Sequence, residues 1–579
     1  MEEHEVAIVG GGISGLYCAK KLRDCGVKDI VVLERSNRWG GRLDTDIIDI
    51  DGGVIKEEKG AMRFTYQDPD GERKSNMPIL SRLIKDLGME NEIEPFYMKP
   101  QPVSMQTSLG VLDRNSNYFA GRYFTNYDAE QNPFKWGELY GLDKIEESKN
   151  SGQIINDIYK KLLEQNIDKV RNYFDLIGRS DVAEKILEQT DVQCLLENQD
   201  AQYWTFFRNE FDWPVGSKKY RLRDISLINL IKAMNYSDAC CQMIVNTLFD
   251  GEETQKLGNA GALLQFNINS SNLYLGDNLY HFKNGWSSLV SRIKTDLQKQ
   301  ILPSRSSTVQ LIDNFDVDAI QEETEGFYLK SHCGKKSIKA KHVVLAIPPG
   351  PAKAILTANQ SNLELSETYA EVQRVYDSTI GEACVKVILY FNNDWWNKFE
   401  DIIMFGPNSS DLPCGFVYPY YKRRKSERDD GNIHGLNHAA LTIYCGSTRA
   451  KFWKNSQRQG EKFQSPLQKE NSGLIPASKQ LVSEAVTQLG KVFNVDEVPD
   501  PILTSYRCWD GEGDYGYAYH YWRVGVDDLN LQAAQPVVEK NLYFCSEAWS
   551  GYQGYVEGAL MSAEKACNKL LGNVTFRGS

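Results

Sequence analysis

The chain has 579 residues, more than one hydrophobic core usually supports, so two or three domains built from non-contiguous segments are expected. Its 41% hydrophobic and 25% charged residues exclude a mainly disordered chain, and the formal net charge of −12 disfavours unspecific binding to nucleic acid. No apolar run reaches the roughly 18 residues of a membrane helix, and the twelve scattered cysteines contain no C-x-x-C pair, so neither a disulfide framework nor a metal site is expected.

The first five residues, Met1-Glu2-Glu3-His4-Glu5, lack the basic and apolar regions of a secretory signal, and the chain reads as cytoplasmic. Glu5–Val9 is an apolar run suited to a buried parallel strand. Gly10-Gly11-Gly12-Ile13-Ser14-Gly15 follows, then a helix over Leu16–Asp24 with Leu16, Ala19 and Leu22 three apart, and then a second strand, Ile30–Leu33, ending in Glu34. Such a unit binds a dinucleotide. Gly10 permits the tight turn, Gly12 admits a pyrophosphate, Gly15 lets helix and strand close up, and the helix N-terminus offers its N–H groups to the phosphates, with Ile13 and Ser14 in the turn as further cofactor contacts. Glu34, nineteen residues after Gly15, can accept ribose hydroxyls. The spacing does not fit a serine nucleophile elbow, which needs G-x-S-x-G. By itself the motif leaves NAD and FAD open. The next residues, Arg35-Ser36-Asn37-Arg38-Trp39-Gly40-Gly41-Arg42, resemble the extended fingerprint of two-dinucleotide-binding-domain flavoproteins, which places Arg35, Gly41 and Arg42 by an FAD diphosphate.

Further along stand Gly60-Ala61-Met62-Arg63-Phe64 and then a largely helical stretch over 131–260, with Ile155, Ile158, Leu162 and Leu163, and later Leu227, Ile228 and Ile231, at helical spacing. Gly285-Trp286 precedes a helix, and Phe315–Ile320 and His342–Ile347 read as strands. In Val385–Phe391 a lysine, Lys386, interrupts an apolar strand, where a lone buried ammonium would be costly. Lys422–Lys425, with Asp429 and Asp430, reads as a solvated insertion, and Gln457–Ser472 as a second loop. Ala440–Gly446 carries Tyr444 on a strand, and Ser505–Trp522 is rich in rings, Trp509 and Tyr517 among them. Finally, Glu547 precedes Gly554-Tyr555-Val556-Glu557-Gly558-Ala559 and a helix beginning near Gly558.

Both ends, and the order of the segments between them, resemble the flavin amine oxidase family, most closely its L-amino-acid oxidases. The resemblance implies an α/β flavoprotein with a Rossmann-like FAD domain (1–65, 261–378, 535–572), a mixed-sheet substrate domain (66–130, 379–534) and a helical domain (131–260). It implies noncovalent FAD, because Tyr517 stands where some relatives carry a cysteine bonded to the flavin. Cofactor contacts would come from Gly60, Ala61, Met62, Arg63, Val317, Glu547, Gly554, Tyr555, Val556 and Ala559 besides the N-terminal set. Arg63 would hold a substrate carboxylate with its planar fork, with Tyr444 giving it a second hydrogen bond. Lys386 would hold a water by the flavin, Trp509 and Tyr555 would flank the substrate, and the Gly554 carbonyl would bind the amine.

The activity implied is oxidation of L-amino acids to α-keto acid and ammonia, with O2 reduced to hydrogen peroxide. Alternatives are a monoamine or polyamine oxidase, which needs no carboxylate clamp, and a monooxygenase giving an amide. A non-catalytic FAD module would leave Lys386 without a task. A homodimer is implied by resemblance alone, and no nucleic-acid or membrane partner is expected. Aromatic richness favours large apolar side chains on the substrate, whereas Glu512 and Asp514 would favour a basic one.

Overall fold

The computed structural model describes residues 2–67, 75–102, 112–188, 201–248, 255–275, 278–299, 307–332, 336–358, 368–399, 402–424, 438–511, 516–526 and 532–575. Glu2–Val9 lies at the centre of a seven-stranded sheet, parallel to Asp29–Leu33 on one side and to Ser337–Leu345 on the other. Thr308–Ile312 extends the sheet beyond Asp29–Leu33, and Leu542–Phe544 pairs parallel to Val343–Leu345. An antiparallel pair, Val317–Glu323 and Gly326–Ser331, completes it.

The second half of the central strand, Val6–Val9, is apolar and buried because both faces are covered there, whereas Glu2 and Glu3 at its start are exposed. Val6 and Ile8 enter a core with Leu16, Ala19, Leu289, Leu560 and Ala563, while Ala7 and Val9 enter another with Val317, Leu329, Leu356 and Trp549. The helix after the glycine turn runs Ile13–Asp24, starting three residues earlier than the apolar spacing suggests. The C-terminal helix runs Val556–Thr575, starting two residues before Gly558.

A second seven-stranded sheet runs in the order Leu503–Trp509, Cys384–Phe391, Ala439–Gly446, Phe416–Tyr421, Asn408–Ser410, Ser116–Phe119 and Arg122–Thr125. Alternation divides its side chains. Val385, Val387, Leu389, Leu441 and Ile443 pack against helices Ser447–Arg458 and Lys479–Phe493. Ile388, Tyr390, Ala440 and Leu503 face the other way, onto Ile48 and Ile55 of the hairpin Thr45–Ile50/Gly53–Glu58. Lys386 and Tyr444 are opposite each other in register on that second face.

The helices Ser151–Gln165, Ala201–Glu210, Leu227–Ala233, Asp238–Thr247 and Ala260–Leu275 share a third core, which also takes in Cys384, Tyr519 and Tyr521. Within this helical stretch lies a hairpin, Asp212–Val215 with Lys218–Arg221.

Two expected loops are partly ordered. Gln457 and Arg458 end a helix, and Pro466–Glu470 forms another, capped by the Ser465 hydroxyl, which accepts from the Gln468 N–H at 3.0 Å. The polarity of this stretch masked a Ser-Pro helix start. Arg423–Arg424 pairs with Gly53 and Val54, so the basic run is partly sheet edge, while Lys425, Asp429 and Asp430 lie outside the described residues. Among the described residues, no helix is long and apolar enough to cross a membrane.

Candidate active site

A cavity of about 480 Å³ runs from the first glycine turn to the Lys386 face of the second sheet. At one end it is lined by Gly10, Gly12, Ile13, Ser14, Glu34, Arg35 and Val317. Gly10 has φ +109° and leaves no room for a Cβ, which would meet the Ala346 carbonyl oxygen at 2.6 Å. Gly15 does not line the cavity. A Cβ there would sit 2.0 Å from the Gly10 oxygen, so its role is to close helix onto turn.

Gly12 differs, because a Cβ there meets only the Gly41 Cα, at 3.9 Å. The space over Gly12 and Gly41 is therefore a cradle left open to the cavity at the start of a helix, which suits a diphosphate. Glu34 is held by the Gly11 N–H at 2.8 Å and by the Ser36 N–H and hydroxyl at 3.0 and 2.8 Å. A carboxylate has further lone pairs for ribose hydroxyls. These residues fit a dinucleotide.

Midway, the buried Glu547 carboxylate receives Arg42 at 2.5 Å and His520 Nδ1 at 2.7 Å. Burial pushes its pKa upward, but the charges and hydrogen bonds of His520 and Arg42 prevail and hold it at about 2. Arg42 also donates to the Ala518 carbonyl at 3.1 Å. The guanidinium is thus fixed where Gly41 and Arg42 border the cavity.

At the far end the lining is Gly60, Ala61, Cys384, Lys386, Tyr444, Trp509, Tyr519, Gly554, Tyr555, Val556 and Ala559. Lys386 is 1% exposed and donates to the carbonyls of Glu58 and Gly60 at 2.7 and 2.8 Å, with Nζ 4.7 Å from the centroid of the Tyr444 ring. Burial brings its pKa down to about 8, although the nearby Glu58 and Glu57 carboxyls work the other way. Two carbonyl partners leave one of the three ammonium donors, or a lone pair, available. Trp509 Nε1 donates to the Lys59 carbonyl at 2.8 Å, so Lys386 and Trp509 together strap segment 58–60 to the sheet. Beneath them Glu57 is fully buried. Its carboxyl accepts from the Thr442 hydroxyl at 2.8 Å, and burial pushes its pKa well up. Gly60 must be glycine, because a Cβ would fall 1.8 Å from the Arg42 carbonyl oxygen.

Arg63 stands just behind this end, outside the lining. It is half-buried, with Cζ 5.6 Å from the Phe96 ring centroid and 5.8 Å from that of Tyr418. Tyr418 in turn lies 6.5 Å from Tyr444, ring to ring, and the Arg63 charge is felt at Lys386. Met62 is buried and also outside the lining, with its sulfur 4.0 Å from Arg63 Nη1. Tyr517 is 38% exposed and off the cavity, while Ala518 and Tyr519 line it. Glu512 and Asp514 lie outside the described residues.

Several residues at the site were not singled out from sequence. Phe266 stacks on Tyr519 (5.8 Å, 7°) and tilts against Tyr555 (5.8 Å), and Tyr418 and Phe96 flank Arg63. Cys384 lines the cavity at the base of the Lys386 strand. Only Cys384, two residues before Lys386 and so on the same strand face, had a usable signal. Among the described residues, no group of three His, Cys, Asp or Glu side chains could hold a metal ion.

The family model described as flavin containing amine oxidoreductase matches residues 13–571. The chain is 22% identical over 593 residues to L-amino-acid oxidase 4 of Hebeloma cylindrosporum, covering 97% of this chain and 80% of that protein. It is 37% identical over 587 residues to flavin-containing amine oxidase B of Mus musculus, covering 98% and 86%. Among solved structures, cyclohexylamine oxidase from Brevibacterium oxydans superposes with a TM-score of 0.59 at 17% identity, covering 99% of each chain. A nucleotide cradle that leads to a buried lysine and an aromatic end, on a fold shared with amine oxidases, agrees with the match along almost the whole sequence: the chain belongs to the flavin-containing amine oxidoreductase family.

Proposed function

We propose that the protein is an L-amino-acid oxidase with noncovalently held FAD. The observation that carries this reading is Arg63, a guanidinium kept half-buried between the Phe96 and Tyr418 rings, one ring away from Tyr444 and within electrostatic reach of Lys386. A simple amine gives no reason to hold a cation there. A carboxylate does, because a guanidinium's planar fork grips it in a bidentate, charge-assisted pair.

In this reading Gly10, Gly12, Ile13, Ser14, Glu34, Arg35, Gly41 and Arg42 hold the nucleotide half of FAD, and Val317 borders its base. Glu547, Val556 and Ala559 border the remainder. FAD supplies the acceptor for the hydride that leaves the substrate Cα. The first turn of helix Val556–Thr575 offers N–H groups that favour negative charge next to it. Tyr444 and Arg63 tether the substrate's acid group, while Trp509, Tyr519 and Tyr555 exclude water from its amine and favour the uncharged form. Lys386 holds a water or a proton at Nζ.

The second reading, an amine oxidase acting on substrates without a carboxylate, is favoured by the 37% identity to amine oxidase B and by the position of Arg63 behind the cavity lining. A peroxide-release screen over the twenty L-amino acids, their D-forms and the corresponding amines separates the two. L-amino acids turned over at least 100-fold faster than their amines support the first reading, and the reverse order overturns it.

A further inference from the structure

The loop that carries Gly554 and Tyr555 into the cavity is tied down at several points. Within its own neighbourhood, the Tyr552 N–H donates to the Ser550 hydroxyl at 2.9 Å and the Gly554 N–H to Glu547 at 3.4 Å. Gln553 joins the loop to the Ala548 carbonyl at 2.5 Å and to the Trp522 N–H at 2.9 Å. One further tie comes from the helices. The Gln265 side-chain amide donates to the Gly551 carbonyl at 2.9 Å, and Arg208 Nη1 reaches the same oxygen at 3.4 Å.

Arg208 is 1% exposed and Gln265 6%, and the guanidinium also donates to the Gln265 carbonyl oxygen, which fixes the amide with its N–H towards Gly551. Helices Ala201–Glu210 and Ala260–Leu275 can approach this closely because Gly261 faces Arg208, where a Cβ would stand 2.8 Å from Cγ. The next residue on the second helix, Phe266, lies against the other end of the loop. A Cβ on Gly554 would meet its ring at 3.1 Å, and its centroid is 5.8 Å from that of Tyr555.

A buried guanidinium is costly to keep in a helix pair that shares a well-packed apolar core. From these contacts we infer that Arg208 and Gln265 are positioning residues for amine oxidation. They pin the Gly551 carbonyl so that Gly554 and Tyr555 meet the substrate from a fixed height, with Phe266 as the backstop. The helical stretch therefore sets the geometry of the reacting end as well as covering it. The inference rests on the flavin amine oxidase reading of the cavity, and holds equally for an amino acid or an amine as substrate.

The test is Gln265→Glu in the full-length holoenzyme. This variant keeps an acceptor for Arg208 and the side-chain shape, but it replaces the amide donor with an oxygen facing the Gly551 carbonyl. The expected result is flavin content and thermal midpoint close to wild type, a visible flavin spectrum that is shifted, and kcat/KM reduced about 10- to 100-fold, mostly through KM. Kinetics use whichever substrate the wild type turns over fastest, so a failure of the amino-acid reading leaves this test standing. Unchanged KM and spectrum would overturn the inference, as would activity lost only in proportion to lost flavin or folded protein. If Gln265→Glu is not recovered folded, Gln265→Met is judged by the same criteria.

Discussion

The two ends of the cavity are built by different means. The nucleotide end is made of backbone and short-range sequence: a strand, a glycine turn and a helix start within fifteen residues, with Glu34 joining from the next strand. The reacting end is lined by segments around residues 60, 386, 444, 509 and 555, with Phe266 packed behind Tyr519. A backbone site tolerates wide variation in its surroundings provided its glycines stay. A side-chain site depends on how whole layers pack, and substitutions far from it can alter it.

The sharpest break of this comparison is a pair of glycines. Gly12→Val should leave a folded protein, because the added atoms enter open space, yet abolish flavin retention, as measured by the absorbance of the purified protein. Gly15→Val, three residues on, should fail to fold, because its Cβ alone collides with the Gly10 carbonyl. If both variants hold flavin, the cradle is elsewhere.

At the other end, Arg63→Ala should lower kcat/KM for L-amino acids by about 10³ or more, the scale of a lost charge-assisted bidentate pair plus its orienting effect, while changing that for the matching amines less than about tenfold. Equal losses on both substrate classes would mean that Arg63 acts only through the fold.

Between the two ends, Glu547→Gln probes a charge that belongs to both. The Glu547 pKa is held at about 2, below its ordinary 4.5. Wild type should therefore carry stability from this group above pH 4.5 and lose it as pH falls towards 2. The pKa difference amounts to about 3 kcal/mol, and the variant should lack that acid-side slope in chemical denaturation. Its flavin Kd should rise about tenfold as Arg42 loses its partner.

Lys386→Met tests a pH dependence of stability whose sign is easily checked. The Lys386 pKa lies near 8 when folded against 10.5 unfolded, so between those values the unfolded chain binds the extra proton. Wild-type stability relative to the variant should rise as pH increases from 8 to about 10.5, by up to about 3 kcal/mol, and be flat below 8. A difference that falls with pH would show that the ammonium is favoured by its surroundings.

The same contrast explains what sequence could reveal. The first strand, turn, helix and second strand were legible because their pattern is local and each residue has a steric reason, while the flavoprotein class came from the resemblance of Arg35–Arg42 and of the segment after Glu547 to the flavin amine oxidase family. Lys386 stood out because an ammonium in an apolar strand demands an explanation. Its partners, the carbonyls of Glu58 and Gly60, were not legible, because they lie some 330 residues away and present only backbone. Phe266 reads as one more apolar position on a buried helix, and nothing nearby marks it as the support behind Tyr519 and Gly554. Phe96 and Tyr418, which bracket Arg63, are separated by more than 300 residues, so no local pattern marks them as a pair. The helix Pro466–Glu470 was hidden by polarity, although Ser465-Pro466 is a start signal.

The first helix packs against the last: Tyr17 donates to Glu564 at 2.8 Å, and the Cys18 sulfur lies 3.0 Å from that of Cys567. The nucleotide turn leaves the ribosome some 540 residues before the helix that supports it. At about 5–20 residues per second that interval lasts roughly half a minute to two minutes. Throughout it the nascent turn has no back, so stable cofactor capture must wait until helix Val556–Thr575 has emerged.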